Sequence, residues 1–216
     1  LDELPYQSTV NPVTRNGGTS AAVETLSQFL EIKLSSYGER NHPDNDVQSH
    51  LSPYLHFGHI SSHEILYRLL EKVSFNVLQL SEKATGQRQG WWNLPEEVEG
   101  FLDQLITWRE LGFNMCSREI DYAKYETLPN WALKTLEEHS SDHRPELYTL
   151  KQLENADTAD SLWNAAQSQL LKEGVIHNYL RMLWGKKILQ WSPSPREALA
   201  RMIHLNNKYA LDGRNP

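Results

Sequence analysis

The chain has 216 residues, a single cysteine and a formal charge of −7 at neutral pH. One thiol excludes an internal disulfide and a thiolate metal cluster, and no apolar run approaches the ~20 residues that a spanning helix needs. Seven tryptophans and a 39% apolar content supply a real core,, while the acidic balance argues mildly against generic nucleic-acid binding.

The opening LDELPYQSTV has neither a basic n-region nor an apolar h-region,. An intracellular, cytoplasmic protein is therefore expected, nuclear if the source is a eukaryote. From there the periodicity is helical nearly throughout. Val23, Leu26, Leu30, Leu34 and Tyr37 recur every three or four residues,. Ser61-Ser-His-Glu64 reads as a capping box opening a helix to about Lys72,. Pro95 with Glu96, Glu97 and Glu99 starts a helix running to about Cys116, its acids near the positive end,. Pro129 starts a short helix containing Trp131, Leu133 and Leu136.

A segment from about Ala159 to Glu173 stops at Gly174,. The next helix covers about Val175 to Trp191, and Ser194-Pro-Arg-Glu197 caps another that runs to about Tyr209,. Loops fall at Asn41–Val47, Leu80–Trp91, Arg118–Thr127 and Glu138–Pro145. No alternating strand and no repeat is visible, so the fold class is all-α: one multi-helix domain over residues 1–216. The ending Leu211-Asp-Gly-Arg-Asn-Pro216 reads as a turn inside a longer protein.

The stretch Leu162–Trp191 holds Trp163, Trp184 and Trp191. On a helix, Trp184 and Trp191 lie two turns and roughly 10 Å apart on one face. His177, Arg181 and Ile188 fall on the same stripe. A buried cation is costly unless paired, so this stripe predicts something polar inside, and a cofactor is one answer. A tryptophan-rich core is the alternative. Indoles near contact can also pass an electron stepwise to a buried redox acceptor.

Between Lys172 and Lys208 the charge is locally +5, leaving about −12 elsewhere. Such a patch binds phosphates or is simply a solvated face.

No Gly-rich dinucleotide motif or phosphate-binding P-loop occurs. His56, His59 and His63 have metal-like spacing, but Phe57-Gly58 and the cap at Ser61 break the helix they would share, so no metal site is expected. Cys116 reads as a core thiol. Ser49-His-Leu51-Ser52-Pro-Tyr54 is a hydroxyl-rich turn whose backbone amides could hold phosphate oxygens; ordinary turn chemistry is the alternative.

Five segments in order resemble the photolyase/cryptochrome family, nearest its class II cyclobutane-pyrimidine-dimer photolyases. They are Leu51-Ser-Pro-Tyr-Leu-His-Phe-Gly58 with Ile60-Ser61; Phe101-Leu-Asp-Gln-Leu-Ile-Thr-Trp-Arg-Glu-Leu111; Leu162-Trp-Asn-Ala-Ala-Gln167; His177 to Trp184; and Leu211-Asp-Gly-Arg214.

The resemblance implies a helical FAD-binding catalytic domain and light-driven repair of pyrimidine dimers flipped out of DNA. Such activity, a deoxyribodipyrimidine photo-lyase's, would belong to the intact protein rather than to this stretch alone. The resemblance assigns Tyr37, Ser49, Leu51 and Ser52 to the FAD phosphates, and Arg109 and Asn164 to the flavin end. Arg181 and Asp212 match an ion pair beside the isoalloxazine, and Asn206 the asparagine facing flavin N5. Trp184, Trp163 and Trp191 match a photoreduction chain from proximal to distal. Trp108 and Met182 match contacts to the dimer, and Lys186 and Lys187 an extension of the DNA-facing surface.

Gln104 stands where class II members usually carry a glutamate that hydrogen-bonds the dimer. It can donate and accept but cannot act as an acid. The partner implied is dimer-containing DNA, with no membrane and a monomeric protein. An antenna chromophore would belong to an N-terminal domain outside this chain. A cryptochrome-like photoreceptor without repair activity is the alternative, and a flavin-free helical interaction module a third reading.

Overall fold

The computed structural model describes residues 10–83, 85–87 and 89–215. The N-terminal segment read for a leader, two residues of the 80–91 loop and Pro216 lie outside the described residues. Among the described residues every regular element is helical, as the periodicity predicts. No helix is long and apolar enough to cross a membrane. The described residues divide into two compact units, Asn16–Tyr122 with Asn215, and Ala123–Arg214 with residues 10–15.

The Asn16–Tyr122 unit begins with α1 (Thr19–Gln28), which loosens into a π turn over Phe29–Lys33 and tightens into a 3₁₀ turn over Leu34–Glu39. Each change of pitch rotates the apolar stripe, and Leu26, Phe29, Leu34 and Tyr37 all stay buried. α2 (Ser52–His56) and α3 (Ser62–Lys72) follow. The Ser61 hydroxyl accepts from Glu64 N at 3.1 Å. The reciprocal half of the predicted capping box is replaced by a Glu64–Arg68 ion pair at 2.7 Å.

The helix expected from Pro95 to Cys116 forms as three pieces: α4 (Glu96–Leu102), a π stretch (Asp103–Trp108) and α5 (Arg109–Arg118). Cys116 is half-buried on α5, which has no buried residue, so the expected core thiol is not one. Phe29, Tyr37 and Phe101 close an aromatic triangle with centroids 4.7–5.7 Å apart. The buried Glu99 carboxylate is satisfied by the backbone N–H groups of Gly90 and Leu94.

The Ala123–Arg214 unit contains α6 (Asn130–Glu138), α7 (Leu150–Glu154), α8 (Ser161–Glu173), α9 (Asn178–Gln190) and α10 (Pro195–Tyr209). Sequence reasoning missed α7. Its signal is Thr149-Leu-Lys-Gln152, a capping box in which both reciprocal bonds form,.

α8 starts where Asp160 accepts from Trp163 N at 3.0 Å and stops at Gly174, whose φ of +68° suits glycine,. α9 begins at Asn178 rather than near Val175. His177 is its N-cap, with Nδ1 accepting from Tyr179 N, so His177 leaves the predicted stripe. On α10 Ser194 accepts from Glu197 N at 3.2 Å, while the Glu197 side chain pairs with Arg201.

Candidate functional site

The three tryptophans of the Leu162–Trp191 stretch meet in the core of the Ala123–Arg214 unit. The Trp163 and Trp184 rings are parallel, 3° apart in plane with centroids 6.3 Å apart. Trp191 stands edge-on to Trp163 at 5.5 Å. The contact order is therefore Trp184, Trp163, Trp191, with α8 supplying the middle ring. All three are buried, at 4, 5 and 2% exposure for Trp163, Trp184 and Trp191.

Each inner indole has a defined acceptor. Trp184 Nε1 donates to Gln167 Oε1 at 2.8 Å, and Trp163 Nε1 to the Trp184 carbonyl at 3.1 Å. Beyond Trp191 the contacts continue to Tyr148, edge-on at 5.2 Å, whose hydroxyl donates to Glu146 at 3.2 Å and accepts from Ala159 N. Sequence reasoning missed Tyr148 because it lies 43 residues away in a segment without periodicity. Trp191 is itself buried, and this half-buried tyrosine extends the row beyond it.

Arg181, three residues before Trp184 on α9, donates from Nη2 to Asp212 Oδ1 at 3.2 Å. The pairing answers the cost of an inward cation. Its Nε atom is buried with no hydrogen-bond partner. Asp212 is presented by a tight turn. Leu211 N donates to Gly174 O at 2.8 Å and Gly213 N to Ala210 O at 3.0 Å. A Cβ on Gly213 would come within 2.8 Å of the Asn206 carbonyl, so the turn folds directly onto Asn206. The Asn206 side chain is half-buried.

Asn164 is committed elsewhere. Its Oδ1 accepts from Thr158 N and Oγ1, and its Nδ2 donates to the Thr158 carbonyl, pinning the entry to α8. Met182 is 51% exposed on α9.

Five of the seven basic residues between Lys172 and Lys208 are ion-paired: Arg181 with Asp212, Lys187 with Asp160, Arg196 with Glu126, Arg201 with Glu197 and Lys208 with Glu154. The local positive charge expected from sequence is thus largely neutralised, and Lys187 lies over the Trp191 ring at 5.2 Å instead of facing outward. A cleft of about 280 Å³ lies against Trp163 and Trp184, walled by Leu180 and Leu183 with Lys186 and Lys187 at its rim.

In the Asn16–Tyr122 unit the other candidates fall on the 3₁₀ turn, at the start of α2, on the π stretch and on α5. Tyr37 is buried in the aromatic triangle, and burial pushes its phenol up to about 12, so it stays a protonated donor. Leu51 is buried, Ser52 exposed, and Ser49 Oγ accepts weakly from Leu51 N at 3.4 Å. The approach to this turn is pinned by Asp46, which takes Lys33 Nζ at 2.8 Å and His50 Nε2 at 2.5 Å. Partial burial would raise the Asp46 carboxyl, but these two partners outweigh it and hold it below the usual carboxylate range.

Gln104 and Trp108 both lie exposed on the π stretch, four residues apart. Trp108 Nε1 donates to Asp103 Oδ2 at 2.9 Å. Arg109 lies over Phe113 at 4.7 Å. Among the described residues no group of three metal-ligating side chains converges. His59 Nδ1 instead accepts from Gly18 N at 3.1 Å.

No protein-family model matches the chain. Deoxyribodipyrimidine photo-lyase of Potorous tridactylus is 40% identical over 92% of this chain and 34% of its own length. The enzyme of that name from Oryza sativa subsp. japonica is 40% identical over 92% and 37%. That from Methanothermobacter thermautotrophicus is 39% identical over 96% and 42%. The chain thus spans a third to two fifths of these relatives. A bacterial class III photolyase from Agrobacterium tumefaciens has the same fold over 91% of this chain and 39% of its own, with a TM-score of 0.55 at 19% identity.

Proposed function

This chain belongs to the photolyase/cryptochrome family, and from that premise we propose that it is the FAD-binding helical part of a light-driven DNA repair enzyme, closest to class II, acting on cyclobutane pyrimidine dimers. The ordered contact of Trp184, Trp163 and Trp191 carries the reading. A core needs tryptophans packed, but it does not need three indoles in linear contact with the innermost on the helix of a half-buried arginine.

The donors present fit a flavin. Arg181 Nε is buried without a partner. The Asn206 amide makes no hydrogen bond among the described residues and sits against the turn that holds Asp212. A flavin ring edge, with its alternating donors and acceptors, would satisfy both.

Bound FAD would supply the photoexcitable redox centre that lends an electron to the dimer and takes it back. The chain's own residues do the rest. Arg181, locked by Asp212, places positive charge where a reduced ring carries negative charge. Asn206 can present either end of its amide, so it serves the ring nitrogen with or without a proton. Tyr37, Ser49, Leu51 and Ser52 are assigned to the phosphates, and Arg109 to the flavin end. Asn164 keeps that assignment only if its Thr158 bonds open. Toward a bound flavin, Trp184 would be the electron donor, with Trp163 placed to refill Trp184 and Trp191, with Tyr148 behind it, placed to refill Trp163. Trp108, Met182 and Gln104 are assigned to contacts with the flipped dimer. The protein acts as an intracellular monomer on dimer-containing DNA.

Gln104 favours a second reading, a cryptochrome-like receptor that uses the same row without repairing DNA. The test is illumination of the flavin-loaded protein with a dimer-containing oligonucleotide. Restored pyrimidines support the enzyme; photoreduction without repair supports the receptor; a protein that takes up no flavin overturns both.

A further inference from the structure

Gln167 is among the most completely buried side chains, at 0% exposure. A buried amide is costly unless its groups are bonded, and a leucine would fill the same space more cheaply. Its Oε1 accepts the Trp184 indole proton at 2.8 Å, while Nε2 reaches back to the Glu154 carbonyl at the end of α7. The amide oxygen is therefore aimed at Trp184, while a weak contact of 3.5 Å steadies the other end of the amide.

An indole that has lost an electron becomes a strong N–H acid. Its proton can leave only if a base is within reach. An amide oxygen accepts a hydrogen bond but is too weak a base to take the proton. The bond also strengthens as positive charge develops on the donor. Trp163 is treated alike, its N–H held by the Trp184 carbonyl.

We propose, resting on the electron-row reading above, that Gln167 is a positioning residue for electron transfer: its amide oxygen stabilises oxidised Trp184 and keeps the proton on its ring. In the balanced step Trp184 gives one electron to the photoexcited oxidised flavin and no bond breaks. Trp163 then gives one electron to Trp184, which returns to the neutral protonated indole. A carboxylate at position 167 would instead accept the proton from oxidised Trp184, break its N–H bond, and leave a neutral indole radical that Trp163 refills poorly.

The experiment is flash spectroscopy of the flavin-loaded protein that carries this chain. Protonated and neutral indole radicals are resolved by their absorption, in a Trp191→Phe background that keeps the charge on the inner two rings. With Gln167 intact the protonated form is expected. Gln167→Glu should convert most of it to the neutral radical, and in the presence of Trp191 should lower the yield reaching Trp191 by about tenfold, the scale of one hydrogen bond to a charged group. An unchanged protonation state and an unchanged Trp191 yield would overturn the proposal.

Should Gln167→Glu fail to fold, Gln167→Met serves. It should speed exchange of the Trp184 indole proton with solvent in the dark, read by NMR, and lower the radical yield about threefold or more. An unchanged yield overturns the proposal there too. If the protein with Gln167 intact forms no indole radical at all, the electron-row reading itself fails, and this inference with it.

Discussion

Trp163 and Trp184 face each other from adjacent helices with their ring planes 3° apart and centroids separated by 6.3 Å. The transition dipoles of two indoles held at that distance interact when either ring is excited. An exciton couplet is therefore expected in the near-ultraviolet circular dichroism. Trp163→Phe, which removes the ring shared by both contacts, should abolish it, while Trp184→Phe and Trp191→Phe should each remove one of the two contributions. Trp184→Phe also strands Gln167 Oε1, a loss of about 1–3 kcal/mol in urea unfolding. In the flavin-loaded protein it should slow photoreduction sharply. Unchanged photoreduction kinetics would remove the row from the mechanism.

Gly174 connects the row to the Arg181–Asp212 pair. It ends α8 at φ +68°, and its carbonyl receives Leu211 N at 2.8 Å, which sets the turn presenting Asp212. A Cβ there would lie 2.6 Å from Leu211 Cγ. Gly174→Ala therefore combines left-handed strain with a clash and should destabilise by about 1–3 kcal/mol. Flavin affinity should fall with it, because Asp212 moves. A variant as stable as the parent would show that the turn yields freely and positions nothing.

Much of this arrangement is legible in the sequence, where chemistry and spacing are local. Asp160, Ser61 and Ser194 begin helices because a short oxygen side chain satisfies an N–H that the helix leaves open,. The Trp184–Ile188–Trp191 stripe follows from helical periodicity alone. What could not be read is long-range or depends on pitch. That Trp163 inserts between Trp184 and Trp191 is a packing result between two helices. The π stretch over Asp103–Trp108 breaks the 3.6-residue period, and with it the rule by which exposure of Gln104 would be read. The basic run between Lys172 and Lys208 looks like a patch only until the carboxylates of Glu126, Glu154, Asp160 and Asp212, all outside that run or at its margins, fold onto it.

Asp160 joins stability to pH. Its carboxyl lies below the usual carboxylate range, first because it accepts the Trp163 backbone N–H and then through Lys187; burial opposes both. A depressed folded value means that the stabilisation is present above the unfolded value of about 4 and is lost as pH falls through the folded one. Asp160→Ala should cost about 1 kcal/mol near neutral pH through the lost cap. Asp160→Asn keeps the cap and should match the parent more closely at pH 3 than at pH 7. Denaturant melts at the two pH values check this; an equal gap at both would show that the charge of Asp160 contributes nothing.

Gln104 decides between repair and reception. It is exposed on the π stretch beside Asp103, whose carboxylate already holds the Trp108 indole N–H. Gln104→Glu changes no buried contact, so stability should stay within about 0.5 kcal/mol. A protonated carboxyl can donate to a dimer carbonyl and a carboxylate can accept from a dimer ring N–H, and charge-assisted hydrogen bonds are roughly twice as strong as neutral ones. In a repair enzyme working below its optimum the substitution should therefore raise the illuminated repair rate, by about three- to tenfold for roughly 1 kcal/mol gained in the transition state. The rate of dimer loss per flash, measured beside photoreduction of the same sample, gives the answer. If both forms photoreduce and neither repairs, the row serves a receptor, and the amide at position 104 belongs to a surface that does not bind lesions.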